Sequence, residues 1–447
     1  MLSFSPVSPR TTGLEAVRDK ERRPSAEITA FRKAVPIFIA LSLFLAIASL
    51  IPAAPSIAEE TGFKVKPYVQ GVDDSSAVVL WMAEDKDKHA VGYVEYGPTV
   101  AYGQTADGEV KRRLRWDGTM RSTGTWIGRA MLTGLAPDTI YHYRVVVGSN
   151  ASEDRTFRTA PAGNAGSYTF VVLADSPDKP KLLSSIASLA ESICDPSFVV
   201  HAGDIVNDKA DKAKGTPPAF QPFQRFVMDT FGDGDFSKPT HWTTAFFEPA
   251  EPLLRKGPCF LARGNHEQHN KRMALYFEAP GGLPQGRFYS FDWGAAHFAT
   301  IDTNRSYRPG SEQYEFLAAD LAASSKPFKI FFEHHPPYSS ARHGSTFRIR
   351  KYIQPILEAN GVKLVFSGHD HSYQRTVVNG VTYIVVPTGG DETYPQANPG
   401  DNPSGLIFVR KPGFIQADVS AAAITLTVWT LESDGTPSIA ENFTITP

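Results

Sequence analysis

Only two cysteines occur in the 447 residues of the chain. Their scarcity excludes a disulfide framework and a thiolate metal site. Cys194 and Cys259 each precede an apolar, strand-like run, which leaves open either one bridge between neighbouring strands or two buried thiols. A surplus of charge is missing as well, with 45 Lys and Arg against 47 Asp and Glu. No electrostatic footprint for nucleic acid follows, and short runs such as Lys86 to Lys88 read as solvated loops. There is no internal repeat and no strongly biased segment. Histidine is absent from the first 88 residues, yet ten of the 12 fall between His201 and His371. In a composition otherwise ordinary for a globular protein, that skew is the first pointer to chemistry.

The chain is too long for one small core, so two or three domains are expected. Residues 34–51, "AVPIFIALSLFLAIASLI", follow Arg32 and Lys33 and precede the small residues "PAAPSIA". This pattern in residues 1–60 is that of an export signal with a cleavage site near Ala54 to Ala58. A run of about 18 apolar residues also suffices to span a bilayer, so an uncleaved anchor giving membrane association through residues 34–51 is the other reading. Arg22-Arg23 resembles a twin-arginine export signal without its usual flanks. Either way the rest of the chain is expected outside the cytoplasm, secreted or periplasmic.

From about Phe63 to Thr159 short alternating segments such as "SAVVLWMAE" and "TIYHYRVVVG" predict a β-sandwich over residues 63–160. The stretch "LAPDTIYHYRV" resembles the tyrosine-corner end of a fibronectin type III domain, which implies that Tyr141 ties its hydroxyl to nearby backbone. "APAGNAGS" is the linker. Beyond it, over 167–447, the period changes. "YTFVVLADS", "SFVVHAGD", "CFLARGNHE", "FKIFFEHHPP" and "VKLVFSGHDH" are continuous apolar runs ending in polar clusters, with helical segments between several of them. Such runs predict strands covered on both faces in a layered α/β sheet, whose ligands sit off the carboxyl ends of the strands. After Gly380 the β pattern returns and predicts a second sheet beside the first. The Pro- and Gly-rich stretch between Lys209 and Lys256 reads as an excursion over the surface near the site.

The strand-end clusters contain Asp175, then Asp204, then Asn265 with His266, then His334 with His335, then His369 with His371. Carboxylate, amide and imidazole donors without sulfur suit zinc, manganese or iron. In "SGHDHSYQR" the two histidines flanking Asp370 project to one side of an extended chain and can face a common centre.

"LADS", "GDIVN", "GNHE", "FFEHHPPY" and "GHDH", in that order, resemble the motif set of the calcineurin-like metallophosphoesterases. Within that family the chain is most similar to the purple acid phosphatases, which carry an N-terminal fibronectin-type domain. The resemblance implies an α/β catalytic domain of two sheets in αββα layers behind the β-sandwich. It implies two metal ions about 3.5–4 Å apart and a hydroxide acidified by them. Asp204 would bridge the ions, the first also taking Asp175 and His371, the second Asn265, His334 and His369. His266 would contact phosphate and assist the leaving group as general acid, and His343 lies near the spacing of another phosphate-side histidine. The expected substrate is a small-molecule phosphate ester.

Two departures touch the first ion. Purple acid phosphatases place a tyrosinate three residues after the bridging aspartate, where this chain has Asn207, which offers at most an amide oxygen. Many other metallophosphoesterases have Asp-x-His in the first motif, where this chain has Pro177. No tyrosinate colour is expected, and the choice among iron, zinc and manganese stays open. His201, His297, His335 and Asp302 read as packing or supporting residues. The leading expectation is a phosphomonoesterase. The alternatives are a phosphodiesterase using the same site, or a surface binding protein whose phosphatase domain has lost its metals. Sequons at Asn150, Asn304 and Asn442 read as chance occurrences.

Overall fold

The computed structural model describes residues 62–84, 91–114, 125–207, 242–267, 273–280 and 283–447, apart from 402 and 404. The apolar segment 34–51, and with it the export-signal and anchor readings, lies outside the described residues, as does 208–241. No helix among the described residues is long and apolar enough to cross a membrane.

Along the strand Ile140–Val147 burial alternates, so that Tyr141, Tyr143 and Val145 face inward. The strand therefore buries one side chain in two, as a half-covered sheet requires. It joins Tyr93–Gly97 in one sheet, while Phe63–Gln70, Ser76–Glu84, Thr125–Thr133 and Glu109–Leu114 form the other. Between the two sheets Trp81 is fully buried and its cross-strand partner is Gly128. Any Cβ at Gly128 would occupy the volume of the indole, so only glycine fits there. Tyr141 accepts a hydrogen bond from the Ala136 amide at 2.9 Å, the backbone tie foreseen for it.

The sandwich is fixed to the following domain by buried polar contacts. Glu278 accepts from Lys111 and from Arg129 Nε, the latter at 3.0 Å. Tyr68 donates its hydroxyl to the Tyr276 carbonyl at 2.8 Å, and Arg155 pairs with Glu251 at 2.8 Å.

The second domain contains two stacked sheets. In the first, Tyr168–Leu173 pairs in parallel with Phe198–His201, and that strand with Cys259–Leu261. On the other edge of Tyr168–Leu173, Gly413–Val419, Ile424–Leu431 and Pro437–Ile445 add antiparallel. In the second sheet, Ala296–Thr300, Phe328–Phe332, Leu364–Ser367 and Val381–Val385 run parallel. This corrects one expectation. The five ligand-bearing strands are divided three and two between the sheets; of the strands after Gly380, Val381–Val385 and Ile407–Val409 join the second sheet, while Gly413–Val419, Ile424–Leu431 and Pro437–Ile445 complete the first. Pairing partners are set by contacts far apart in sequence, which hydrophobic period does not encode.

An aromatic seam joins the sheets. Phe170 stacks on Phe198 at 5.0 Å, and Phe298 meets both edge-on at 5.4 and 5.5 Å. Packing these rings removes apolar surface from both inner faces and brings the carboxyl ends of the two parallel sets together. On the outer faces lie helices Pro180–Cys194 and Glu312–Ala323 and the pair Phe347–Tyr352 and Gln354–Ala359.

A second correction concerns residues 242–256. The described part of the supposed surface excursion is core. Trp242, Phe246 and Phe247 are buried and pack on Tyr276 and Phe277. Their aromatic content outweighs the flanking prolines and glycines. Cys194 and Cys259 are both buried and free, which settles the cysteine question in favour of two thiols.

Candidate metal centre

Each candidate ligand follows a parallel strand, where the chain leaves the sheet by a sharp turn. Asp175, Asp204 and His369 do so in the left-handed region, with φ of 51°, 54° and 71°. That conformation costs a side-chain-bearing residue on the order of 1–3 kcal/mol. The surrounding hydrogen bonds hold it. Buried Glu267 accepts from the backbone amides of Asp204, Ile205, Val206 and Gly264 at 2.7 to 3.1 Å, locking the "GDIVN" loop to the "GNHE" loop. Thr388 donates to the Asp175 carbonyl at 2.7 Å. The glycines of the motifs serve close approach. A Cβ on Gly264 would press on the Asp204 carboxylate, and one on Gly368 would meet the Ala202 carbonyl and Asp175 Oδ2.

These turns aim the side chains at one another. His334 Nε2 lies 3.2 Å from Asp204 Oδ2 and 3.1 Å from Asn265 Oδ1. Ligand atoms of Asp204, His334 and His369 all fall within 4.8 Å of one another. Asp175 Oδ1 accepts from the His369 amide at 3.0 Å and lies 3.7 Å from His371 Nε2. Thus Asp204, Asn265, His334 and His369 form one group, and Asp175 with His371 an adjoining one. His266 donates its amide to Asp204 Oδ1 at 2.8 Å, with its Nε2 3.6 Å from Asp204 Oδ2. The His343 ring lies 4.3 Å from that of His369. Asn207 stands apart: its amide nitrogen donates to Asp178 at 3.1 Å, and among the described residues it makes no hydrogen bond to the other candidate ligands.

Whether these residues suit cations can be judged from their hydrogen bonding. His334 Nδ1 meets the Ala202 carbonyl at 2.9 Å and His371 Nδ1 meets the Glu392 carbonyl at 2.7 Å. A carbonyl oxygen only accepts, so both Nδ1 atoms carry hydrogen and both Nε2 atoms face the carboxylates. This is the arrangement by which metal-bound imidazoles are oriented. Asp175 Oδ2 is buried without a hydrogen-bond partner among the described residues, an uncompensated acceptor that a cation would satisfy. The residues therefore fit a metal centre.

The electrostatics agree. Burial pushes the His369 and His371 imidazoles down, that of His371 to about 4, so both are neutral and able to donate lone pairs. Burial also raises the Asp175 carboxyl well above its ordinary range. In Asp204 burial again opposes charge, but the neighbouring His334 outweighs it and holds the carboxyl low. Burial likewise disfavours a charged His334, yet Asp204 raises it to about 10. Without a cation the His334 imidazolium and the Asp204 carboxylate compensate each other, and a bound metal would take the place of that proton.

Several participants are not evident from sequence. Asp370, between the paired histidines, is buried and accepts from the amides of His343 and Gly344 at 2.8 and 3.1 Å and from the Ser339 hydroxyl. Asn304 donates to the Arg263 and Gly264 carbonyls at 3.3 and 3.0 Å. Thr303 bonds His335 Nδ1 at 2.7 Å. Tyr394 stacks on His371 with ring centroids 4.1 Å apart. His201 bonds Ser176, and His297 lies between Asp292 and Asp320, both supporting roles as foreseen.

Fold and site together define a metal-dependent phosphoric ester hydrolase. Residues 168–373 match the calcineurin-like phosphoesterase family, and residues 63–159 match the purple acid phosphatase N-terminal domain. The chain thus carries a calcineurin-like metallophosphoesterase domain behind the N-terminal domain of the purple acid phosphatases. It is 26% identical over 379 residues to purple acid phosphatase 15 of Arabidopsis thaliana, covering 77% of this chain and 66% of that one. To purple acid phosphatase 23 of the same plant it is 26% identical over 362 residues, covering 74% of each. The solved purple acid phosphatase PPD1 of yellow lupin (Lupinus luteus) shares the fold with a TM-score of 0.64 at 20% identity, covering 85% of this chain and 74% of that one. The purple acid phosphatase family uses binuclear metal centres.

Proposed function

We propose that the protein is an exported phosphomonoesterase with a binuclear centre. Asp204 would be shared by two cations, with Asp175 and His371 able to hold the first and Asn265, His334 and His369 the second. Asn207 is close enough in sequence to Asp204 to complete the first site if its amide turns away from Asp178. When bound, the cations supply an acidified water and offset charge on the phosphoryl oxygens. The chain's own residues do the rest. His266, tied by its amide to Asp204, holds a proton on Nε2 for the leaving oxygen. His343, fixed through Asp370, orients a phosphoryl oxygen from the other side. Burial of Asp175 and His371 keeps bulk water from their inner atoms.

The observation that carries this reading is the convergence of Asp204, His334 and His369 beside the partnerless oxygen of Asp175. The test is metal analysis of purified protein beside turnover of an aryl phosphate and a bis-aryl phosphate. Two equivalents of metal with monoester preference support the proposal. Diester preference moves it to a phosphodiesterase, and one equivalent or none with no turnover sinks it. Export is tested by mass spectrometry of the mature N-terminus. The sandwich is assigned to the fibronectin type III kind on its tyrosine tie.

A further inference from the structure

Arg342 stands beside the site on the loop that carries His343. It is exposed, and among the described residues it makes no ion pair. Its backbone is fixed on both sides. Asn398 donates to the carbonyls of Ala341 and Arg342 at 2.6 and 3.5 Å, and Asp370 holds the next two amides. Its guanidinium carbon lies 5.1 Å from the centroid of the Tyr394 ring. That ring is stacked on His371 at 13° between planes, so the guanidinium takes the opposite face, one aromatic layer from a candidate metal ligand. Tyr394 is itself anchored, donating its amide to the His371 carbonyl at 3.0 Å.

A guanidinium drawn to an aromatic face by the ring's quadrupole keeps N–H groups free to point outward. In that state it matches the fork of a carboxylate or phosphate at little entropic cost. With two cations to meet the charge of the scissile phosphoryl group, a guanidinium separated from His371 by the Tyr394 ring would be left for another anionic group. We propose that Arg342, seated on Tyr394, binds a second anionic group carried by the leaving alcohol. The substrate class is then a phosphomonoester bearing a phosphate or carboxylate a few bonds from the scissile ester. This rests on the phosphoesterase reading above.

The test compares propyl phosphate, propane-1,3-diol bisphosphate and 3-phosphooxypropanoate on metal-loaded protein. Wild type is expected to favour at least one bis-anionic substrate by about tenfold or more in kcat/KM, and the two substrates distinguish phosphate from carboxylate. In Arg342→Met that ratio falls to near one, and Arg342→Lys restores part of it. A wild-type ratio near one, or a ratio kept by Arg342→Met, overturns the proposal. Binding of propane-1,3-bisphosphonate against propylphosphonate separates the two readings. Arg342-dependent preference without any turnover leaves the anion site standing and removes the phosphomonoesterase. Turnover with no preference in either assay does the reverse.

Discussion

Asn304, in the turn after the Ala296–Thr300 strand, donates its side-chain amide to the carbonyl of Gly264, the residue before Asn265. A turn of one sheet thereby holds a ligand loop of the other. The same amide also reaches the Arg263 carbonyl and Asp302. Asn304→Asp removes the donors while keeping the shape. It is expected to weaken metal binding at the Asn265 site by about 10–100-fold, the usual cost of losing an outer partner. Metal titration reads this directly, with circular dichroism unchanged.

Removal of a ligand is predicted to do more. Asp204→Asn takes away the charge that, on the proposed reading, both groups of side chains share. Metal retention after dialysis should be lost, and kcat/KM should fall by more than the roughly hundredfold set by outer partners. An Asp204→Asn protein that kept two equivalents of metal would refute the bridging role.

Chelation supplies an independent check. The buried, partnerless oxygen of Asp175 and the left-handed turns are carried by the metal-free chain at a cost, and cations bound only by the folded state stabilise it. Saturation at 100 times Kd corresponds to about 2.7 kcal/mol. The melting temperature should therefore drop on treatment with a chelator and recover on adding zinc or manganese. No change on chelation would contradict the centre.

His297 gives a pH dependence that is separate from the site. Burial disfavours its charge, but the hydrogen bonds it donates to Asp292 and Asp320 outweigh that and raise it to about 9. Its folded value lies above the unfolded 6.5, so its contribution is complete below about pH 6.5 and is lost as the pH rises through about 9. His297→Gln should flatten the melting-temperature profile between those values relative to wild type. An unchanged slope would count against the assignment.

Gly128→Ala should act on stability alone. The added methyl meets the Trp81 indole in the sandwich core, an overpacking worth about 1–3 kcal/mol. Denaturant unfolding of the variant should shift accordingly, while the metal content of folded protein stays at the wild-type value.

The candidate ligands were legible in sequence because an apolar run followed by His, Asp or Asn marks a strand end whatever sheet it joins. The division of strands between sheets was not, since Phe328–Phe332 and Phe198–His201 look alike until their neighbours are known. The supporting residues were hidden for a related reason. Glu267 meets amides more than sixty positions earlier in the chain, and Asn304 meets carbonyls about forty positions away. Nothing local distinguishes such a residue from a surface polar one. For Trp242 to Phe247 a signal existed: three aromatic residues within six positions outweigh the surrounding turn formers.

Asp370 sits between the two histidines of "GHDH" and points to the opposite side, where it secures the loop bearing Arg342 and His343. On the proposed reading one tripeptide would face the inorganic and the organic halves of the reaction at once. Changes that retune the outer loop for a new leaving group must preserve this peg, or they will also tilt the imidazoles on either side of it. Diversification of the loop is therefore channelled toward side chains such as Arg342, whose replacement leaves the peg untouched.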